Sequence, residues 1–198
     1  LDELTNEVNH IYGAYTAIDY VVFMGIIELS KHPEWLTKLK TEASIAQSPD
    51  FVLSRENLGD FPLLKAFMNE VLRYYPVAIA VGRKLGEDLL MGNTKIKKGT
   101  EVILSIQTLH HHPDYWENPK EFNPARWINP KHEPKAFIPF LDGPRQCIGK
   151  HLAEIHFIGV FLAYLNSNPI IPDYSQLKIG NYMIPRPMFK VPYKFDFK

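Results

Sequence analysis

Cysteine is nearly absent from this chain: Cys147 is the only one in 198 residues. That excludes an intrachain disulfide framework. Neither sign of charge is in excess, with 22 Lys plus Arg against 22 Asp plus Glu. A zero net charge argues against a nucleic-acid-binding surface as the main purpose, so no nucleic-acid partner is expected. Long uncharged apolar runs are also missing, and no transmembrane helix is expected within this stretch. The opening residues lack a signal-peptide pattern. They begin on Leu1 rather than Met and already read as mid-helix, so a fragment is expected. What is there is an ordinary globular balance, 45% hydrophobic and 22% charged, enough for one substantial core.

Apolar residues recur at helical spacing from about residue 2 to 31, through Leu4, Val8, Ile11, Tyr15, Ile18, Val22, Ile26 and Leu29. This predicts one long helix. His32-Pro33 closes it, and Pro33 suits the first turn of a second helix running to about Ala46. A third helix is expected between Asp60-Phe61-Pro62 and Tyr75-Pro76. From Val77 to about Leu109 the pattern changes to short strands, with turns at Gly92-Asn93 and Lys98-Gly99. Residues 110 to 136 read as a long ordered loop, a kind of segment that is usually functional. A further helix spans Lys150 to Leu165, and short β segments follow Pro169. Helices grouped with small, segregated sheets predict a mainly α-helical α+β fold.

The residues with most chemical potential lie in Phe140 to Gly149, FLDGPRQCIG. A cysteine in a glycine-rich turn that feeds a helix N-terminus sits where backbone N–H groups and the helix dipole favour a thiolate. Glycine lets such a turn adopt positive φ. The alternative stays open on these grounds alone, since a lone cysteine is usually inert core. On the third helix, Glu70 and Arg73 share a face and can pair. An exposed pair would contribute little, but Phe67, Met68, Val71 and Leu72 surround them. A buried guanidinium needs several acceptors, so a further partner is expected, and Arg126 is offered by Asn123-Pro124-Ala125-Arg126-Trp127. His110, His111 and His112 form a run, but consecutive loop residues rarely converge on one ion.

F-x-x-G-x-R-x-C-x-G, met by Phe140, Gly143, Arg145, Cys147 and Gly149, resembles the haem-binding signature of the cytochrome P-450 family. Chance would produce it about once in a few million starting points. Glu70 and Arg73 resemble that family's E-x-x-R motif, and Pro124-Ala125-Arg126-Trp127 its later P-x-R-F/W motif, in the same order. The resemblance implies a cytochrome P-450 fold, C-terminal portion, with a long distal helix, a haem-loop helix and small β-sheets. Residues 1–198 would be the C-terminal part of a single haem-binding catalytic domain. It implies haem b with Cys147 as axial thiolate ligand of the iron. Phe140, Gly143, Arg145 and Gly149 would complete the cofactor loop. Arg83 and Arg145 would meet the haem propionates, and Glu70, Arg73 and Arg126 would form a structural charge network.

Val77, Ala78, Ile79, Ala80 and Val81 resemble a substrate-lining segment, with Met183 a weaker pocket candidate. A plain core strand is the competing reading of 77–81, and an edge residue that of Arg83. The distal helix departs from the family pattern. Gapless counting back from His32-Pro33 puts Thr16 at the acid position and Ala17 at the alcohol position of the oxygen-activating pair. A shift of one residue restores Thr16 as the alcohol and puts Tyr15 at the acid. Under either register the pair is incomplete, and Asp19 is a distant substitute.

The function so implied is a monooxygenase that inserts one oxygen atom from dioxygen into a small apolar organic substrate. Electrons would come from a reductase or ferredoxin, with Lys131, Lys135 and Lys150 as a basic docking face. The alternatives are a peroxygenase or hydroperoxide-rearranging haem-thiolate enzyme, or a truncated non-catalytic haem-binding product. Location is open between cytoplasmic and membrane-associated, with any anchor upstream.

Overall fold

The structure, a computed structural model, describes the backbone of residues 2–128, 135–169, 174, 178–180 and 186–188. Side chains are described for 13–128, 135–169 and 174. Three helices carry most of the architecture. α1 (Asp2–Lys31) is followed directly by α2 (Pro33–Ala43), with Pro33 opening the second helix. α3 (Pro62–Tyr74) comes next, after a short 3-10 turn over Leu58–Asp60. Residue 61 gives α3 no side-chain cap. Glu42 of α2 does this from a distance, its carboxylate accepting from the Leu63 and Leu64 N–H groups at 2.7 Å each. Burial pushes that carboxyl up, and the two amides oppose the shift. The contact ties the start of α3 to α2.

Four short strands follow. β1 (Ala80–Lys84) pairs antiparallel with β4 (Glu101–Ser105), Ala80 opposite Ser105 and Lys84 opposite Glu101. Between them, β2 (Leu89–Met91) and β3 (Thr94–Ile96) form a hairpin. The expected strand character to Leu109 stops earlier. Ile106–His110 is a short helix, α4, because the Ser105 hydroxyl accepts the Thr108 N–H and caps it. The loop expected over 110–136 is loop in its described part, apart from a 3-10 turn at Pro124–Trp127 that Asn123 caps. α5 (Lys150–Asn166) follows the cysteine loop, and β5 (Lys178–Gly180) pairs with β6 (Arg186–Met188).

The core lies where α1, α3 and α5 meet. Met24, Ile27, Phe67, Val71, Phe157 and Phe161 are all buried there. Gly25 permits the α1–α5 approach, since a Cβ at that position would stand 2.6 Å from the Phe161 ring. Gly13–Lys31 is long and apolar enough by composition to cross a membrane. Here its C-terminal part packs as the centre of this core, burying Met24, Ile27 and Leu29.

Candidate functional site

α3 builds the site's foundation. Glu70 and Arg73 are both 0% exposed. The Arg73 Nε and Nη2 donate to Glu70 Oε2 at 2.9 Å and Oε1 at 2.8 Å, a bidentate pair. Arg126 reaches the same carboxylate, its Nε donating to Oε1 at 3.1 Å. Two further donors were not foreseen from sequence: the Asn123 N–H to Oε1 at 2.7 Å and the Trp127 indole N–H to Oε2 at 2.8 Å. Arg73 also donates to the carbonyls of His110, Pro119 and Glu121. Trp116 and Tyr74 flank its guanidinium. Every acceptor and donor that burial requires is therefore supplied, which is the condition for a buried ion pair to hold.

The cysteine loop leans on this foundation. The Cys147 N–H donates to the Phe140 carbonyl at 2.8 Å and closes the loop. Inside it Leu141 has φ 63 and Gly143 φ 72. Positive φ is free for glycine but strained for leucine, and such strain gathers at functional sites. Asp142 caps the turn by accepting the Gly143 N–H at 2.7 Å. Cys147 is exposed, and α5 starts at Lys150 just beyond it.

A cavity of about 300 Å³ separates this loop from α1. Pro139, Phe140, Leu141, Arg145, Cys147 and Gly149 form one wall, and Leu152, Ala153 and Phe157 of α5 continue it. Ala14, Ala17, Ile18, Val21 and Val22 of α1 also line it. Met68 and Leu72 of α3 join Val77, Ala78, Val81 and Ile106 around the remainder. Ile79 and Ala80, expected with the pocket-lining segment, are not among the lining residues. Alternation along β1 sends Ala80 to the face opposite Val81, and Ile79 lies just ahead of the strand. Among the described residues, the wall that α1 contributes has no polar side chain. Thr16 is not part of it and donates its hydroxyl to the Gly13 carbonyl at 3.2 Å within the helix. Tyr15 and Asp19 are exposed and bonded to each other, and the Asp19 carboxylate raises the tyrosine hydroxyl above its ordinary range.

Arg83 is exposed on β1 and donates to the Gly82 carbonyl at 2.8 Å. It lies two positions from Val81, on the same strand face, but does not itself line the cavity. The histidine run disperses: His110 is fully buried, His111 packs on Tyr74 and His112 on Tyr115. Among the described residues, no group of three His, Cys, Asp or Glu side chains could hold a metal ion. Met183 and Lys131 lie outside the described residues. Lys135 and Lys150 are exposed. Lys150 lines a second, more polar cavity of about 550 Å³ with Lys65, Asn69 and Glu154, and Phe140 and Leu141 border both cavities.

This donor set fits a haem. One soft sulfur faces an apolar chamber, as a single axial thiolate requires. Small residues, Ala14 and Ala17, stand on α1, and Arg145 supplies a cation suited to a carboxylate.

A sequence model of the family described as Cytochrome P450 matches residues 2–166. The chain is 32% identical to rat (Rattus norvegicus) cytochrome P450 3A18 over 194 residues, covering 94% of this chain and 39% of that protein. It is 33% identical to the mitochondrial cholesterol side-chain cleavage enzyme of Hypanus americanus over 161 residues, 81% of this chain and 31% of that one. Among solved structures it is similar to a zebra fish cytochrome P450 determined with progesterone. The TM-score is 0.68 at 28% identity, over 76% of this chain and 35% of that one. The chain thus spans well under half the length of these relatives.

Proposed function

The chain belongs to the cytochrome P450 family, and from that premise we propose that it is the cysteine-bearing part of a haem-thiolate monooxygenase. The observation that carries this reading is that Cys147 and the small residues of α1 line one apolar cavity. Cys147 would hold the iron through its thiolate. When bound, the haem supplies the redox-active iron through which one atom of dioxygen is transferred to an organic substrate. Phe140, Gly143 and Gly149 shape the loop around the sulfur, Arg145 on the cavity wall would neutralise a cofactor carboxylate, and Arg83 would do so by turning from the Gly82 carbonyl it now meets. Val77, Ala78 and Val81 select an apolar substrate by offering it no polar partner. The apolar walls exclude water from the reacting face.

Electrons come from a redox partner, a reductase or ferredoxin, that docks near the cysteine loop over Lys135 and Lys150. Charge reversal of both lysines slows the first reduction at low salt, and the difference fades as salt rises. Variants that reduce as fast as the native protein at low salt would rule this docking face out. The location follows either the mitochondrial relatives, such as the side-chain cleavage enzyme, or the others.

A second reading is favoured by a specific observation. Among the described residues, the α1 wall of the cavity carries Ala17 and no hydroxyl or carboxyl group, so no side chain described there offers proton delivery. A peroxygenase or hydroperoxide-rearranging enzyme needs no such delivery. Organic hydroperoxide, given to the full-length haem protein without reductase, separates the two. Turnover under NAD(P)H and reductase with silence toward hydroperoxide supports the monooxygenase. The reverse supports the second reading.

A further inference from the structure

One buried group has no part in this scheme. His110 is 0% exposed, and its ring Nε2 accepts the Ile138 backbone N–H at 3.1 Å. Since Nε2 accepts, the proton of the neutral ring sits on Nδ1. Nδ1 makes no well-formed hydrogen bond, although the carbonyls of Leu72 and Arg73 face the ring. The ring packs against Phe137, centroids 5.4 Å apart. On its other side the backbone of the same residue belongs to the charge network, its carbonyl accepting from Arg73 Nη1 at 3.1 Å.

What the ring holds matters. Ile138 opens a turn in which its carbonyl accepts the Leu141 N–H at 3.0 Å. Leu141 is the residue strained at φ 63. Phe140, inside that turn, accepts the Cys147 N–H. A strained backbone persists only where its surroundings over-determine it. Here the Ile138 amide is fixed by an imidazole, and the imidazole is fixed through its own backbone by Arg73.

We propose that His110 is a positioning residue for Cys147. It clamps the strained Ile138–Leu141 turn and couples the buried Glu70–Arg73–Arg126 network to the sulfur's height in the cavity. The proposal rests on the haem-thiolate reading for its consequence, though not for the clamp itself. Burial drives the ring's affinity for protons down, to a pKa of about 4, so Nε2 remains an acceptor at neutral pH.

The test uses the full-length haem-loaded protein and two variants. H110F keeps the ring's bulk and removes the acceptor, while H110Q keeps an acceptor near the Nε2 position. In H110F, amide exchange over 138–141 accelerates. The red-shifted carbonyl Soret band of thiolate-bound haem then decays roughly tenfold faster than in the native protein, as expected for an orphaned buried amide. H110Q stays close to native in both readouts. Native behaviour of H110F, or an equal loss in H110Q and H110F, overturns the proposal. If H110F does not fold, H110N replaces it, because its shorter amide cannot reach Ile138. Loss in H110N with retention in H110Q supports the clamp, and equal behaviour of the two overturns it. A native protein without the red-shifted band would refute the haem-thiolate reading, while the exchange comparison still decides the clamp.

Discussion

The two walls of the apolar cavity are held in different ways. On the cysteine side, position is set by directional bonds: Glu70 takes donors from Arg73, Arg126, Asn123 and Trp127, and the loop is closed by the Cys147–Phe140 bond. On the α1 side, the described cavity-lining stretch, with Ala17, Ile18 and Val21 facing inward, is apolar, and a directional bond lies further along the helix, where buried Glu28 accepts the Tyr75 hydroxyl at 2.6 Å. Burial of apolar surface is non-directional, so the α1 wall tolerates shape-preserving change. A buried polar network is unforgiving, because each lost partner leaves another group unpaired.

Glu70→Ala gives the largest effect expected from this contrast. It strands Arg73 and the Trp127 indole N–H in the interior and costs about 3–5 kcal/mol, measured by denaturant unfolding of the full-length protein. A loss below about 1 kcal/mol would mean that the network behaves like a surface pair. The pH dependence of His110 comes next. Its folded pKa, about 4, lies below the ordinary 6.5, because burial outweighs the nearby carbonyls, while His111 and Arg73 add to the depression. The unfolded chain therefore binds the proton first as pH falls. Stability is lost between pH 6.5 and 4, by about 3 kcal/mol from this group, and no further below that. H110Q removes that part of the slope, and an unchanged slope would place it on other residues.

On the α1 side the expected effects are smaller. Gly25→Ala pushes a methyl into the Phe161 ring and costs about 1–3 kcal/mol, less than the network variant. Ala17→Thr changes stability by less than about 0.5–1 kcal/mol, since the hydroxyl and methyl it adds enter a wall that has room. Its effect is chemical: it raises the yield of oxygenated product per NAD(P)H if dioxygen is the oxidant. It leaves hydroperoxide turnover unchanged if hydroperoxide is.

The same contrast explains what could be read from the chain and what could not. α1, α3 and α5 were legible because their apolar residues recur at helical spacing. The cysteine loop and the Glu70, Arg73 and Arg126 set were legible because their residue types and order are unusual. α4 was missed because a single hydroxyl, Ser105, turns an apolar strand-like run into a helix. Trp127 and His110 were named only as parts of motifs, because their partners, Glu70 and Ile138, are distant in sequence. The Asn123–Ala125 capping turn, typical of asparagine, was a local signal that could have placed Trp127. For His110 no local signal exists. Ile79 and Ala80 were grouped with their neighbours because a short apolar run hides which residues point inward.

Everything proposed for the cavity depends on Cys147 binding haem iron as a thiolate. The direct measurement is the absorption spectrum of the full-length protein, reduced and exposed to carbon monoxide, beside Cys147→Ser. A red-shifted Soret band is expected in the native protein and abolished in the variant. A native spectrum without that band, or the same band surviving in Cys147→Ser, would contradict thiolate binding by Cys147.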